Sequence, residues 1–366
     1  MGLSTAWQLC RAAPGIRVTL LERAGIGAAA SGASAAGVRV MGRDPAERAL
    51  TLASLARWPD LDRELDGETG YRRGGGLRVA LDEITWRQAP AWVAEQRADG
   101  VPVEVLDTAS ALRLAPGLSP GVWGGVFCAM DGQAEAMPTV EAFAQAARRL
   151  GTRVEEGVGA DRIVIEHGRV AAVSRTDGVR VSCDVAVVAA GSWTGPLLTP
   201  LGVRLPLEPR ALQMLLTEAA PAALDPVVGA FGCRLSLKQL ATGSYLIGGG
   251  WPADIVDHAG NAWRLRDDSV RASLTVAGEV HPPTGRCALA RGWAALEAFT
   301  PDALPVLGPV PGTDGLLVAA GFSGHGFALA PAAGDVLARL ALGQPARPEL
   351  WGGLRLERFD RTSVTR

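Results

Sequence analysis

Lysine is almost absent from this 366-residue sequence: Lys238 is the only lysine among the 36 basic residues. Such a bias is typical of coding in a G+C-rich genome, so the presence of an arginine by itself says little about function. The basic residues nearly balance 38 acidic ones, for a net charge of -2, and they form no long run. A nucleic-acid backbone, which binds through a basic surface, is therefore not an expected partner.

Long apolar runs, cysteine pairs and histidine pairs are also missing. The richest apolar segment, residues 316–342, is interrupted by polar residues and Pro331, and it falls short of the roughly 18–20 uninterrupted apolar residues of a membrane helix. The five cysteines form no C-x-x-C motif, and no two of the four histidines have metal-ligand spacing. With no signal peptide before the first helix, these absences predict a cytoplasmic protein with reduced thiols, without a metal site or a membrane span.

The order of the predicted elements indicates an α/β protein. An apolar face over residues 2–12 predicts a helix, and the apolar run 16–22 predicts a buried parallel strand ending in Glu22. A helix followed by such a strand is the second half of a βαβ unit, and no strand with a glycine-rich turn precedes it in this sequence. Asp44, Pro45 and Glu47 have the spacing of a helix start and predict a helix running toward residue 65.

The alternation of helices and parallel strands is interrupted in the middle of the chain and resumes near its end. We expect a helix over 138–150, and then a meander of three strands at 162–166, 169–174 and 179–183 before a buried strand at 184–191. Residues 205–300 contain shorter strand-like runs typical of an antiparallel sheet. The chain then predicts a strand at 316–320, a glycine-rich loop at 321–327 and a helix starting near Pro331.

A dinucleotide site needs glycines at a strand-to-helix turn and an acid about 20 residues further on. Gly2 and Glu22 have that separation, although one glycine could equally mark any helix start. The loop 24–39, with Ser31 and Ser34 among small residues, suits close approach to a pyrophosphate, or else forms a flexible surface loop.

Several segments, in order along essentially the whole chain, resemble the D-amino-acid-oxidase-like family of FAD-dependent oxidoreductases, which includes glycine and sarcosine oxidases. They are residues 2–6, 20–23, 31–39, 131–132, 189–193 (Ala-Ala-Gly-Ser-Trp), 248–252 (Gly-Gly-Gly-Trp-Pro), 300–302 and 321–327 (Gly-Phe-Ser-Gly-His-Gly-Phe). Segment 248–252 is more similar to the β subunits of opine, hydroxyproline and proline dehydrogenases. The family's first strand and first two glycines have no counterpart before Gly2, and we expect a misplaced start.

The resemblance implies an FAD-binding Rossmann-like domain with a β-meander and an α+β substrate domain with an antiparallel sheet. We expect the FAD-binding domain, discontinuous and truncated at its N-terminus, to comprise residues 1–70, 138–204 and 301–366. The substrate-binding domain would comprise residues 71–137 and 205–300.

The resemblance also implies how FAD is held, without a covalent link. Glu22 and Arg23 would lie at the adenosine ribose, and Ser31 and Ser34 near the pyrophosphate. The other implied cofactor contacts are Gly2, Ala160, Ala190, Gly191, Trp193, Gly321, Gly324, His325, Gly326 and Phe327. The helix near Pro331 would direct its positive end at the flavin ring, where reduction places negative charge.

The implied substrate site departs from glycine oxidase. Where such members carry an arginine for the substrate carboxylate, this sequence has Glu297, which could bind a second, cationic group of the substrate. We expect Arg43 or Arg39 to replace the missing arginine and Trp251 to form a pocket wall. His325 would contact flavin or substrate without acting as an essential base.

These features predict FAD-dependent oxidation of the C–N bond of an amino or imino acid of the glycine, sarcosine, opine or proline type. Hydride would pass to flavin N5, and water would hydrolyse the imine. Similarity to dehydrogenase β subunits implies a hetero-oligomer whose partner subunits carry electrons. The alternative is a non-catalytic or cofactor-poor truncated subunit of such a dehydrogenase. A flavin domain of a tRNA-modifying fusion enzyme fits the near-neutral charge poorly.

Overall fold

The computed structural model describes residues 1–363, so the last three residues of the expected 301–366 segment lie outside the described residues. Its α-helices are α1 Gly2–Ala12, α2 Ala30–Ala33, α3 Pro45–Leu55, α4 Leu61–Leu65, α5 Glu83–Ala98, α6 Thr108–Leu114, α7 Ala136–Arg149, α8 Thr194–Leu198, α9 Asp267–Val280, α10 Pro282–Gly285 and α11 Gly326–Ala341. None of the helices in residues 1–363 is long and apolar enough to cross a bilayer.

The strands follow the predicted alternation. They are β1 Thr19–Glu22, β2 Gly37–Val38, β3 Gly76–Ala80, β4 Val103–Leu106, β5 Gly124–Cys128, β6 Gly132–Gln133, β7 Arg153–Glu156, β8 Ala160–Glu166, β9 Arg169–Arg175, β10 Arg180–Ser182, β11 Ala186–Val188, β12 Glu208–Ala219, β13 Val227–Ala230, β14 Ser236–Gln239, β15 Ser244–Gly248, β16 Pro252–Asp257, β17 Ala262–Arg264, β18 Leu289–Phe299, β19 Val306–Pro309 and β20 Leu316–Ala320.

Parallel pairing unites the two ends of the chain with its middle. Strand β1 pairs in parallel with β7, and β11 pairs in parallel with β20, which also carries β19 on its other edge. The β1–β7 and β11–β20–β19 groups form separate sheets. The meander β8–β9–β10 is confirmed, and its first turn places both His167 and Gly168 at positive φ.

The remaining strands build a ten-stranded sheet in the order β17-β16-β12-β15-β14-β13-β3-β5-β4, with β18 paired to β12. It is antiparallel except for the β13–β3 pair. The expectation of only short strands in residues 205–300 is wrong, because β12 and β18 have 12 and 11 residues and pair along almost their whole length. This long ribbon carries side chains toward the site described below.

Helix α11 begins at Gly326, five residues before the predicted start at Pro331. Proline lacks the N–H that would bond back along the helix, so a helix is more often expected to begin at a proline than to run through it. Side chains of packed elements hold the first turn of α11 in place. Ser54 Oγ and Trp58 Nε1 donate to the carbonyl of Ala328 at 2.7 and 3.0 Å. Because these partners lie about 275 residues away in sequence, local pattern could not reveal that the helix continues N-terminal to Pro331.

The predicted helix from Pro45 toward residue 65 is also interrupted. It ends at Leu55, and a 3-10 turn and the short α4 complete the stretch. Asp44 caps it as expected, accepting from the Ala46 N–H at 2.8 Å. Trp58, in the 3-10 turn, and Trp7, in α1, are each 1% exposed and belong to the core.

Candidate active site

The carboxyl end of β1 places Glu22 and Arg23 beside the start of the meander. Glu22 Oε1 accepts from the Ala24 N–H at 3.0 Å, and the Glu22 carbonyl accepts from the Val158 N–H at 3.1 Å. A Cβ added at Gly159 would lie 3.2 Å from Arg23 Cβ, so the backbone there approaches closely. The structure thus brings Glu22, Arg23 and the first residue of β8, Ala160, together at a sheet edge of the kind where α/β folds bind ligands.

Arg23 also contacts the segment after β11. Its guanidinium lies 3.6 Å from the centre of the Trp193 ring and donates to the Ala259 carbonyl at 2.7 Å. Trp193 Nε1 in turn donates to the His258 carbonyl at 2.8 Å. Beside Trp193, Gly191 has φ 55° and no atom within 4 Å of an added Cβ, which leaves open space next to Ala190.

The turn between β16 and β17 therefore covers this end of the site. His258 Nε2 lies 2.8 Å from Ser192 Oγ, and the imidazole stacks on the Trp193 ring. Asn261 donates to the Ala28 carbonyl at 3.2 Å. Sequence reasoning missed His258, because no local motif marks a turn residue that contacts a strand end more than 60 positions away.

The loop that contains Ser31 and Ser34 is fixed at both ends. Ser34 Oγ accepts from the Ala36 N–H at 2.9 Å, which supports Ala36 at φ 51°. The Ala33 carbonyl accepts from Trp293 Nε1 of β18 at 3.0 Å. Ser34 thus maintains the turn, while the exposed Ser31 has its hydroxyl available to a ligand.

The glycine-rich loop 321–327 lies against the end of β18. Gly321, Ser323 and Gly324 all have positive φ, and a Cβ at Gly321 would come within 2.5 Å of Thr300 Cγ2. The Ser323 N–H donates to the Ala298 carbonyl at 3.2 Å. Gly326 opens α11 directly behind this loop, so the free N–H groups of the helix start face the same region.

His325 lies beside two buried charged residues, Glu47 in α3 and Arg43 just before it. Its Nδ1 lies 2.9 Å from Glu47 Oε1, and Glu47 is completely buried. Arg43 Nη1 lies 3.9 Å from the same oxygen, and Arg43 Nε donates to the Arg39 carbonyl at 3.3 Å. The sequence predicted Glu47 as a helix-start residue, whereas its carboxylate in fact reaches His325.

Burial sets the charge of this cluster. Desolvation, followed by the charge of Arg43, lowers the pKa of His325 against the opposing effect of Glu47, so the imidazole is neutral near pH 7. Burial lowers the pKa of Arg43 to about 10, which leaves it cationic. A neutral histidine beside a carboxylate can donate from one ring nitrogen and accept at the other.

Glu297 projects from β18 on the other side of the loop. A Cβ at Gly324 would lie 3.7 Å from Glu297 Oε2, and the carboxyl makes no ion pair with any described residue. Arg210, which is opposite Glu297 in the β12–β18 register, pairs with Glu208 at 2.7 Å instead. Burial raises the pKa of Glu297 to about 7.

Two guanidinium groups near the cluster form no ion pair with a described residue, although both interact electrostatically with the buried carboxyl of Asp131. Arg39 is half-buried and forms no ion pair or side-chain hydrogen bond within the part of the chain that the structure describes. Arg78, missed by sequence reasoning, lies near both rings of the Trp92–Phe231 pair, 5.6 and 5.5 Å from their centres. Both line one small pocket, so this side of the site is positively charged.

A cleft of about 360 Å³ reaches His325 and Arg43 between the start of α3 and the second half of α5. Trp251, the predicted pocket wall, follows β15, and its buried Nε1 has no hydrogen-bond partner in the described chain. Phe327 stacks on Trp58 at 5.4 Å, so its ring is part of the core and only its backbone is offered to a ligand.

These residues fit an extended dinucleotide with a redox ring at one end. An acid terminates a parallel strand at Glu22, Gly191 leaves open space, and Trp251 presents an orphaned buried N–H. At the other end, a glycine loop and a helix start adjoin His325. Gly2, at the start of α1, has only Leu20 Cδ1 near an added Cβ, at 3.5 Å.

Comparison with known proteins supports the same assignment. The family model described as DAO, FAD dependent oxidoreductase, matches residues 1–340. The chain is 31% identical over 356 residues to a glycine oxidase of Pseudomonas aeruginosa, which covers 94% of this chain and 93% of that protein. It is 30% identical over 321 residues to a D-amino acid dehydrogenase of Rhizorhabdus wittichii, with coverages of 85% and 74%.

Among solved structures, the fold is similar to that of L-proline dehydrogenase from P. horikoshii. The TM-score is 0.88 at 24% identity, covering 99% of this chain and 96% of that chain. A glycine oxidase from Geobacillus kaustophilus is also similar, with a TM-score of 0.84, 24% identity and coverages of 94% and 92%.

Proposed function

This chain belongs to the DAO family of FAD-dependent oxidoreductases, and on that premise we propose that it oxidises the C–N bond of a small amino or imino acid. The observation that carries the proposal is the meeting of His325, the unpaired Arg39 and the unpaired Glu297 around the glycine loop 321–327. An amino acid offers a carboxylate and a nitrogen to such a set of groups. Its relatives named glycine oxidase and D-amino acid dehydrogenase act on compounds of this class.

FAD supplies the two-electron acceptor when it is bound. The residues we propose to hold its adenosine end are Gly2, Glu22, Arg23, Ala160, Ala190, Gly191 and Trp193. Ser31 and Ser34 would face the pyrophosphate, and the ring would lie against Gly321, Gly324, His325, Gly326 and the backbone of Phe327. No cysteine occurs in either loop, which supports non-covalent binding.

Arg39 is the better candidate for the substrate carboxylate. Arg43 already faces Glu47 and is buried, whereas Arg39 has no competing acid partner. An arginine fork binds a carboxylate through two parallel hydrogen bonds, which would fix the orientation of the substrate. Arg43 then supports the site through Glu47, and Arg78 adds to the positive charge.

Glu297 would select substrates with a second basic group. A carboxyl with a pKa of about 7 is partly ionised at neutral pH and gains charge when a cation approaches it. Trp251 would bound the same pocket. This arrangement favours an N-substituted or basic amino acid over glycine itself.

The proposal extends to the electron acceptor, the subunit composition and the cellular compartment. Similarity of segment 248–252 to dehydrogenase β subunits supports a hetero-oligomer whose partner subunits receive the electrons. Five free cysteines support a reducing, cytoplasmic location. The ten-stranded sheet draws its strands from residues 71–137 and 205–300, which supports the two-domain division expected from the sequence.

A substrate panel with two acceptors tests this function. FAD-saturated protein is incubated with glycine, sarcosine, proline and N-carboxyalkyl basic amino acids, with either oxygen or an artificial dye as acceptor. We expect dye reduction without hydrogen peroxide, fastest with the N-substituted basic compounds. Peroxide in amounts equal to the substrate consumed would identify an oxidase, and no reaction with any member would reject the proposed function.

A further inference from the structure

The completely buried Glu47 has a role that its place at the start of α3 does not explain. A carboxylate removed from water needs charge or hydrogen-bond partners, and Arg43 lies at the outer limit of an ion pair, 3.9 Å away. The nearest polar atom to Glu47 Oε1 among its charged neighbours is Nδ1 of His325, at 2.9 Å. Glu47 is therefore directed at the imidazole more closely than at the guanidinium.

The fold fixes both partners of this contact. Thr51 Oγ1 donates to the Glu47 carbonyl at 2.9 Å, one turn further along α3. On the other side, the His325 N–H donates to the Phe322 carbonyl at 2.8 Å, and His325 precedes the first turn of α11. Helices α3 and α11 pack against one another through Ser54 and Ala328, so the Glu47–His325 distance is set by helix packing.

The contact decides which nitrogen of His325 carries the proton. Both atoms of this 2.9 Å contact, Glu47 Oε1 and His325 Nδ1, are buried and have no other hydrogen-bond partner among the described residues. An unprotonated Nδ1 would place its lone pair against a carboxylate oxygen that can only accept, so Nδ1 carries the proton and the lone pair of the neutral imidazole is at Nε2. His325 Nε2 has no hydrogen-bond partner among the described residues, and the residue lines the open cleft. A substrate N–H that enters this cleft finds an acceptor there.

We propose that Glu47 is a positioning residue that holds His325 with Nδ1 protonated, so that Nε2 accepts a hydrogen bond from the nitrogen of the substrate. This inference rests on the proposed function for the nature of the substrate, but the tautomer it assigns is a property of the chain alone. Glu47 itself does not touch the substrate.

Charges of both signs surround His325. Arg43, just before α3, and Arg39, in the loop after β2, both lower the pKa of His325. Acidic side chains also face this region: Glu297 from β18, and Asp44 and Asp302 at the rim of the cleft. Removing the charge of Glu47 should therefore lower the pKa of His325 further. Removing the acceptor oxygen of Glu47 as well should leave His325 without a preference for the Nδ1–H tautomer.

The test uses nitrogen-15 NMR of histidine-labelled, FAD-saturated protein, in which only four histidines report. His325→Asn assigns the signal. We expect wild-type His325 to be the Nδ1–H tautomer, Glu47→Gln to keep that tautomer with a lower imidazolium pKa, and Glu47→Ala to lose it. An Nε2–H tautomer in wild-type protein overturns the proposal, and this result does not depend on how well any variant folds.

Kinetics supply the second readout. We expect Glu47→Ala to lower kcat/KM by roughly 10- to 100-fold, as loss of a carboxylate behind a histidine does elsewhere, and Glu47→Gln to shift the acidic limb of the pH profile. Glu64→Gln, which removes the partly buried partner of Arg11 and Arg57 away from the His325 cluster, is the control and should leave the profile unchanged.

The two proposals fail separately. If wild-type His325 is the Nδ1–H tautomer but no amino or imino acid is oxidised, the proposed function is wrong and the assigned tautomer stands. If amino acids are oxidised and Glu47→Ala changes neither the tautomer nor kcat/KM, the role of Glu47 is wrong and the function stands.

Discussion

At the residue scale, the charges of the site determine what it can bind. Arg39 lacks an acidic partner within the described chain, whereas Arg43 faces Glu47. Glu297 is a carboxyl without a cation, on the far side of the His325 loop. A ligand with a carboxylate at one end and a basic group at the other would complement both.

Arg39→Met removes the unpaired charge while keeping the length of the side chain. If Arg39 holds the substrate carboxylate, kcat/KM should fall by about 1.5–3 kcal/mol of transition-state stabilisation, the range for a hydrogen bond to a charged group. Steady-state dye reduction measures it. Arg291→Met, which removes an exposed guanidinium stacked on Trp293, is the matched control. Equal rates in both variants would transfer the role to Arg43 or Arg78.

Glu297 makes stability depend on pH in a predictable direction. Its pKa is raised from 4.5 to about 7 in the folded protein, so the fold binds this proton more tightly than the unfolded chain does. The contribution of Glu297 is most favourable below pH 4.5 and is lost as pH rises toward 7. Urea unfolding across this range should show wild-type protein losing stability relative to Glu297→Gln. Parallel pH profiles would mean that the carboxyl is not desolvated.

Sequence could predict those residues of the site that belong to local motifs. Glu22 ends a parallel strand, although that strand is only partly buried and not buried as expected, and the glycines around His325 fit no ordinary core segment. Both were therefore proposed as site residues from pattern and resemblance. Glu47, His258 and Arg78 were missed because their roles arise from contacts between elements far apart in sequence. The spacing of Glu47 fits the local pattern of a helix start, but its carboxylate lies at His325 and not at the backbone of that start.

At the scale of elements, helix α11 and the β16–β17 hairpin each contact elements far away in sequence. The hydrophobic periodicity of a segment gives no information about such contacts. Helix α11 includes Pro331, and Ser54 and Trp58 tie its first turn to α3 and the 3-10 turn through the carbonyl of Ala328. The β16–β17 hairpin extends from the ten-stranded sheet to Arg23 and Trp193. The position of β20 was predicted correctly, because its apolar run and the glycines on either side of it are local features of the sequence.

The hairpin should control how firmly the cofactor is held. His258→Ala removes the contact with Ser192 Oγ and the stacking on Trp193, at a cost of about 0.5–1.5 kcal/mol. We expect the FAD dissociation constant to rise by up to about tenfold, as measured by quenching of flavin fluorescence. Arg264→Ala breaks the exposed pair with Asp254 on the same hairpin and should bind FAD like wild-type protein. If the two variants bind equally well, the hairpin tip does not cover the cofactor.

At the scale of the whole molecule, the chain assembles one site from distant segments. The β1 end, the loop before β2, the strand β18 and the loop before α11 span residues 22 to 327 and meet through contacts such as Trp293 to Ala33 and Arg23 to Ala259. We propose that a dinucleotide lies along this sheet edge, with the small substrate between its ring and the ten-stranded sheet.

Anaerobic reduction of the bound flavin tests this account most directly. Protein saturated with FAD and freed of excess cofactor is mixed, without oxygen, with one equivalent of an N-substituted basic amino acid. The account predicts loss of the oxidised-flavin absorbance in proportion to the substrate added, and the matching keto or aldehyde product after hydrolysis. Flavin that stays oxidised with every amino or imino acid tested, in protein that binds FAD fully, would contradict it.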